Sequence, residues 1–167
     1  MSDQPPSPPP QAPAKPAQSS FARRMILTWF GCGRSPFAPG TVGSLGALPF
    51  AWIILDLDGP TGLLMMAGLL FICGWLCAEM DMPGHDSDPS WIVVDEVVGM
   101  WIAAAAAPLS LLWFAVAFLL FRFFDILKPW PVGWADRKVG GGMGVMLDDV
   151  FAGLYAATII LVARLAL

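Results

Sequence analysis

The sequence predicts an all-α integral membrane bundle of about five membrane-embedded helices, with a short interfacial helix ahead of them. Three observations predict it. Of 167 residues, 57% are hydrophobic and only 13% are charged, against about 25% charged in a soluble domain. The mean hydropathy is +0.67. The apolar residues fall in runs that approach the roughly 20 needed for a helix to cross ~30 Å of hydrocarbon.

Residues 1–20 are a different material. Seven of the sixteen prolines fall within 1–16, with Ala, Gln and Ser between them. This predicts a polyproline-like, disordered tail outside the chemistry. It lacks the basic start and apolar core of a signal peptide. The membrane domain is expected over 21–167. Arg23 and Arg24, followed by apolar residues up to Phe30, predict a short helix lying in the interface. The first membrane helix is expected over 41–57, and Asp56-Leu57-Asp58-Gly59-Pro60 ends it in a turn. The second, 60–78, carries no charge. The third, 91–107, is apolar apart from Asp95 and Glu96 near its start. Pro108 separates it from the fourth, 109–121. The fifth, 146–167, is apolar after Asp148 and Asp149 except for Arg164. Cys32, Cys73 and Cys77 are odd in number, so packed, reduced thiols are expected.

Threading five helices alternately through a bilayer gathers the charges. The side of the Pro-rich tail receives Lys15, Arg23, Arg24, Arg34, Arg122, Lys128, Arg137 and Lys138, and the other side only Arg164. Cations accumulate on cytoplasmic loops, so the N-terminus and this face are expected in the cytoplasm. The same face collects Asp95, Glu96, Asp125, Asp148 and Asp149. Carboxylates at a membrane boundary are costly unless paired or bound to a cation, and five together repel one another. Mg²⁺ takes oxygen ligands, usually one or two carboxylates plus a substrate phosphate. Some of Asp95, Glu96, Asp148 and Asp149 are therefore expected to hold Mg²⁺, with one remaining carboxylate, Asp125 or Asp149, activating water or attacking as a nucleophile. Arg122 and Lys128 would clamp a phosphate. Arg34, Thr41 at the end of a proline-stiffened loop, and His85 in a polar loop are further substrate-binding candidates. The glycines from Gly140 to Gly144 would lead an anion to the N-terminus of the fifth helix.

Each piece has a plainer reading. Asp148 would serve as a helix N-cap, Asp95 and Glu96 as a first-turn pair facing the helix dipole, and Asp125 as the i,i+3 partner of Arg122. His85 would be a solvated loop residue. Convergence on one face is what favours the joint reading.

Other chemistries fit poorly. Cysteine phosphatases need an Arg at a fixed spacing after the nucleophile, and Ala38, Glu79 and Pro83 stand at those positions after the three cysteines. Histidine-based lipid phosphatases need two histidines, and the chain has one. Asp56-Leu57-Asp58 imitates an aspartyl-phosphate motif but lies on the opposite side. With a net charge of -4 and no basic stripe, a nucleic-acid partner is not expected.

The stretches "GCGRSPFAPGTVGSLGALPF", "HDSDPSWIVVDEVVGMWIA" and "FRFFDILKPWPVGWADRKVGGGMGVMLDDVFAG", in this order, resemble the phosphatidylglycerophosphatase A family over about 30–167. The resemblance implies a Mg²⁺-dependent phosphatase of the bacterial inner membrane. It would convert the phospholipid phosphatidylglycerophosphate to phosphatidylglycerol in phospholipid biosynthesis. The family's motif acids fall on Asp95, Glu96, Asp125, Asp148 and Asp149. Two alternatives remain from other classes. Membrane phosphatidyltransferases also use acids and Mg²⁺, in a signature ending with a glycine and two evenly spaced acids. Gly144 and Asp148 fit its start, but Ala152 stands where the last acid belongs. A transporter or scaffold would need polar residues across the whole bilayer.

Overall fold

The computed structural model describes residues 20–82 and 89–166. Among them the chain is all-α, with no strand. A short helix α1 (Phe21–Leu27) starts at Ser20, whose hydroxyl accepts from the Arg23 amide at 3.2 Å. A 3₁₀ turn (Cys32–Arg34) leads to α2 (Pro39–Asp81). Then come α3 (Val94–Ala105), α4 (Leu111–Leu127), α5 (Val132–Lys138) and α6 (Gly141–Ala166). α4 begins at Ser110, whose Oγ accepts from Trp113 N at 3.3 Å, the usual N-cap contact.

Helix α2 is two limbs in one element. Gly59 breaks it with φ 67° and ψ -170°, a left-handed φ that glycine adopts without penalty. The direction reverses there, as packing on both limbs requires. A Cβ on Gly43 would lie 2.8 Å from the Val93 side chain, and one on Gly74 would lie 3.1 Å from Val94. A straight helix would hold residues 43 and 74 about 45 Å apart. The turn expected at Asp56 to Pro60 is therefore present as a sharp break rather than a loop.

The first limb runs alongside α3, where Trp101 Nε1 donates to the Ala47 carbonyl at 3.0 Å. α6 runs parallel to α3: Asp95 and Asp149 meet at one end, and Arg164 Nη1 donates to the Ala106 carbonyl at 2.9 Å at the other. That contact satisfies a carbonyl left over at the C-terminus of α3.

Two helices, α2 and α6, are long and apolar enough to cross a membrane, not the five expected. The first two expected spans are the limbs of α2. α3, with 12 residues, and α4, with 17, rise only about 18 Å and 26 Å. The apolar run of α3 is also core rather than lipid-facing surface, because Val94, Val97, Val98, Met100, Trp101 and Ala103 are all buried. On α2 the opposite holds. Leu45, Ile53, Leu57, Met65, Leu69 and Ile72 are exposed, a larger apolar surface than soluble monomers carry. These two helices indicate membrane association.

α6 begins earlier than expected, at Gly141 rather than Met146. Glu79, at the end of α2, accepts from Gly142 N through Oε2 at 2.8 Å. From Gly141 onward the glycine-rich stretch is part of the helix, and the anion at its N-terminus is the protein's own carboxylate. The three cysteines form no disulfide and are partly buried.

Candidate metal centre

At Gly99 and Gly153, α3 and α6 meet backbone on backbone. A Cβ on Gly153 would lie 2.4 Å from the Gly99 carbonyl oxygen and 3.0 Å from Gly99 Cα. One on Gly99 would lie 2.5 Å from the Asp149 carbonyl oxygen. Small residues let helices approach this closely where lipid gives no hydrophobic drive for association. Asp95 stands one turn before Gly99, and Asp149 one turn before Gly153. On two parallel helices that meet at the glycines, these acids must face each other.

They do, with Glu96 beside them. One oxygen each from Asp95, Glu96 and Asp149 lies within 4.8 Å of the others. Asp95 and Asp149 are each 3% exposed. Glu96 Oε2 and Asp149 Oδ1 are buried and accept no hydrogen bond within the described residues. Buried carboxylate oxygens without a donor are strongly disfavoured. A hard divalent cation is the species that three converging carboxylates fit. Asp95 and Glu96 also occupy the first turn of α3, where the helix dipole favours negative charge. The plainer reading of this pair is compatible with a cation site.

Asp125 lies outside the trio but acts on Asp149 at close range. It is the i,i+3 partner of Arg122, whose Nη1 is 2.7 Å from Asp125 Oδ2. The same Nη1 lies 3.5 Å from Ser44 Oγ. Gly40 brings the start of α2 against this group, and a Cβ there would sit 2.1 Å from Glu96 Oε1 and 3.3 Å from Arg122 Nη1. Thr41 follows in the first turn of α2 and is half-buried.

Asp148 and Asp149 lie well inside α6 and are not N-caps. Asp148 also departs from the expected ligand set. Its Oδ2 is 3.0 Å from Lys128 Nζ, and Lys128 pairs in addition with Asp136. Burial works against the Lys128 charge, but the bonds and charges of Asp136 and Asp148 outweigh it and hold the ammonium above its ordinary range. Lys128 is thus held between two carboxylates. Arg34 does not join the acids. It lines a pocket of about 260 Å³ with Arg24, Thr28 and Trp91. His85 and the Pro-rich tail lie outside the described residues.

Several residues that build the centre carry no chemical signature in the sequence. Gly40, Ser44, Glu79, Gly99, Asp136 and Gly153 are among them. For Gly99 and Gly153 a signal did exist: each follows an acid by four residues, the spacing that stacks side chains on one helix face.

Fold and cluster together define a membrane-associated helical protein with a buried carboxylate centre suited to a hard cation. Residues 25–164 match the family model of phosphatidylglycerophosphatase A, and the chain belongs to that family. It is 43% identical over 141 residues to phosphatidylglycerophosphatase A of Escherichia coli, covering 81% of this chain and 80% of the relative. Against phosphatidylglycerophosphatase A of Haemophilus influenzae it is 44% identical over 140 residues, with 81% and 85% covered. A Bacteroides thetaiotaomicron protein, provisionally named a phosphatidylinositol-3-phosphatase, is 44% identical over 153 residues, with 87% and 95% covered. No solved structure matches. The expectation of a phosphatase, rather than a phosphatidyltransferase or a transporter, agrees with these relatives.

Proposed function

We propose that the protein hydrolyses phosphatidylglycerophosphate to phosphatidylglycerol and inorganic phosphate, using Mg²⁺ held by Asp95, Glu96 and Asp149. It would do so at the cytoplasmic face of the bacterial inner membrane as a multi-pass protein. The observation that carries this reading is the trio of converging carboxylates, two of them with buried oxygens that accept no hydrogen bond. The multi-pass topology is supported by the reversal at Gly59, which brings Gly74 back to the same end of α3 as Gly43.

When bound, Mg²⁺ would neutralise charge between the carboxylates and the phosphate and polarise the phosphoryl group. The rest falls to this chain's side chains. Arg122, steered by Asp125 and Ser44 to the edge of the trio, meets phosphate oxygens and stabilises the charge that grows on them. Asp125 is paired with Arg122 and is not one of the converging three. It takes the proton of the attacking water as the water oxygen bonds to phosphorus. The bond from phosphorus to the glycerol oxygen breaks with its electron pair on that oxygen, which takes a proton from solvent water and leaves with the lipid as a free hydroxyl. Lys128, held by Asp136 and Asp148, fixes the turn after α4 and so the position of Asp125.

The test is product analysis with purified protein in detergent and Mg²⁺. Phosphate should be released from phosphatidylglycerophosphate faster than from phosphatidylinositol 3-phosphate. CDP-diacylglycerol should not be consumed. Preference for the inositol lipid would move the assignment to the activity named for the Bacteroides relative. Consumption of the CDP lipid without phosphate release would establish a transferase instead.

A further inference from the structure

The cation centre accounts for the phosphate end of a lipid but not for its tails. Between the first limb of α2 and α4 runs an apolar groove of about 540 Å³, within the roughly 300–1,000 Å³ typical of ligand pockets. Leu45, Leu48 and Trp52 line it from α2, and Phe114, Ala115 and Phe118 from α4. At its inner end Trp52 packs on Phe114, with ring centroids 5.0 Å apart and planes at 60°. Its other end lies at Leu45 and Phe118. Leu45 directly follows Ser44, and Phe118 stands one turn before Arg122. Ser44 and Arg122 are the pair whose side chains meet at 3.5 Å beside Gly40 and Glu96. Phe118 and Arg122 share a face of α4, so the groove ends one helical turn from the guanidinium.

A second apolar groove, of about 350 Å³, lies between the second limb of α2 and helices α3 and α6. None of its lining residues belongs to α4, the helix that carries Arg122. Gly74, Val94 and Met146 pack together above it, with Met146 Sδ 3.1 Å from a Cβ placed on Gly74, and all three are buried.

We infer that the groove between α2 and α4 holds an acyl chain of the phospholipid substrate, which enters sideways from the bilayer with its phosphate led to Arg122. This rests on the proposed lipid phosphatase activity. A tail in this groove and a phosphate at the trio can belong to one molecule, because the groove ends one helical turn from the guanidinium. The groove fixes one chain, which leaves the second in the surrounding lipid. It also gives the enzyme a means of telling a membrane lipid from a water-soluble phosphate ester.

Phosphatidylglycerol carrying a photoreactive diazirine on one acyl chain tests this without relying on turnover. Illuminated with the protein in detergent micelles and mapped by mass spectrometry, it should label 45–52 and 111–118 several-fold more than 64–71. Ala115 is exposed, so Ala115→Trp fills the groove without disturbing the core. It should abolish that labelling and raise KM for long-chain phosphatidylglycerophosphate about tenfold, with kcat little changed. Gly68→Leu fills the other groove, where a Cβ meets nothing within 4 Å, and should change neither. Equal labelling of both grooves, or an unchanged KM in Ala115→Trp, would overturn the inference. If wild-type protein releases no phosphate from the lipid, the activity itself falls. If it does and labelling is even, only the groove falls.

Discussion

Replacing Asp149 by Asn is expected to cost about a hundred- to a thousandfold in kcat, the equivalent of ~3–4 kcal/mol of transition-state stabilisation. Asn keeps the shape of the side chain but not its charge, and its amide nitrogen cannot ligate a hard cation. Asp149 is the residue of α6 that reaches the trio, so no neighbour replaces it. Asp148→Asn is the internal comparison. It removes only the partner of Lys128, which keeps Asp136, and should lose no more than about tenfold in kcat. Loss of stability does not explain the expected result for Asp149→Asn. With the cation removed, the wild-type trio repels itself, so the variant's unfolding midpoint in EDTA should not fall below wild type. Equal, small effects at both positions would mean that the side chain facing α3 has no special role.

Gly153→Ala should lower kcat/KM by about a hundredfold, although residue 153 is not itself a ligand. The new methyl would lie 2.4 Å from the Gly99 carbonyl oxygen, and a backbone atom in a helix cannot swing aside as a side chain can. Such overpacking costs about 1–3 kcal/mol of stability. The helices relieve it by separating, which draws Asp149 away from Asp95 and Glu96 one turn above. A displacement of ~1 Å at reacting groups costs about a hundredfold. Affinity for Mg²⁺ should weaken together with the rate, and higher Mg²⁺ should recover part of it. Gly68→Ala, at a position open to the surroundings, should leave both unchanged. If Gly153→Ala keeps wild-type Mg²⁺ dependence, the glycine contact does not set the centre's geometry.

The helical class and the grouping of acids were legible in the sequence for local reasons. Apolar runs, the punctuation at Asp58-Gly59-Pro60 and Pro108, and alternation of direction need no knowledge of distant contacts. They place Asp95, Glu96, Asp125, Asp148 and Asp149 at one end. Which of them converge was not legible. Adjacent residues on a helix point about 100° apart, and which of Asp148 and Asp149 turns towards α3 depends on the rotation of α6. The rotation that turns Asp149 inward is set by the contact of Gly153 with Gly99, far apart in the chain. The start of α6 was misplaced for a similar reason, because its N-terminal amide is satisfied by Glu79 from the end of α2. The count of spans was too high because hydropathy does not distinguish a helix buried in protein from one bathed in lipid. α3 is apolar because it is the core.

Phosphate release from phosphatidylglycerophosphate, followed as free Mg²⁺ is raised from an EDTA-stripped start, tests most directly that the trio is a working cation centre. The account predicts no release in EDTA, saturable recovery with Mg²⁺, and a curve that Asp149→Asn flattens at every concentration. Undiminished release in EDTA would contradict it.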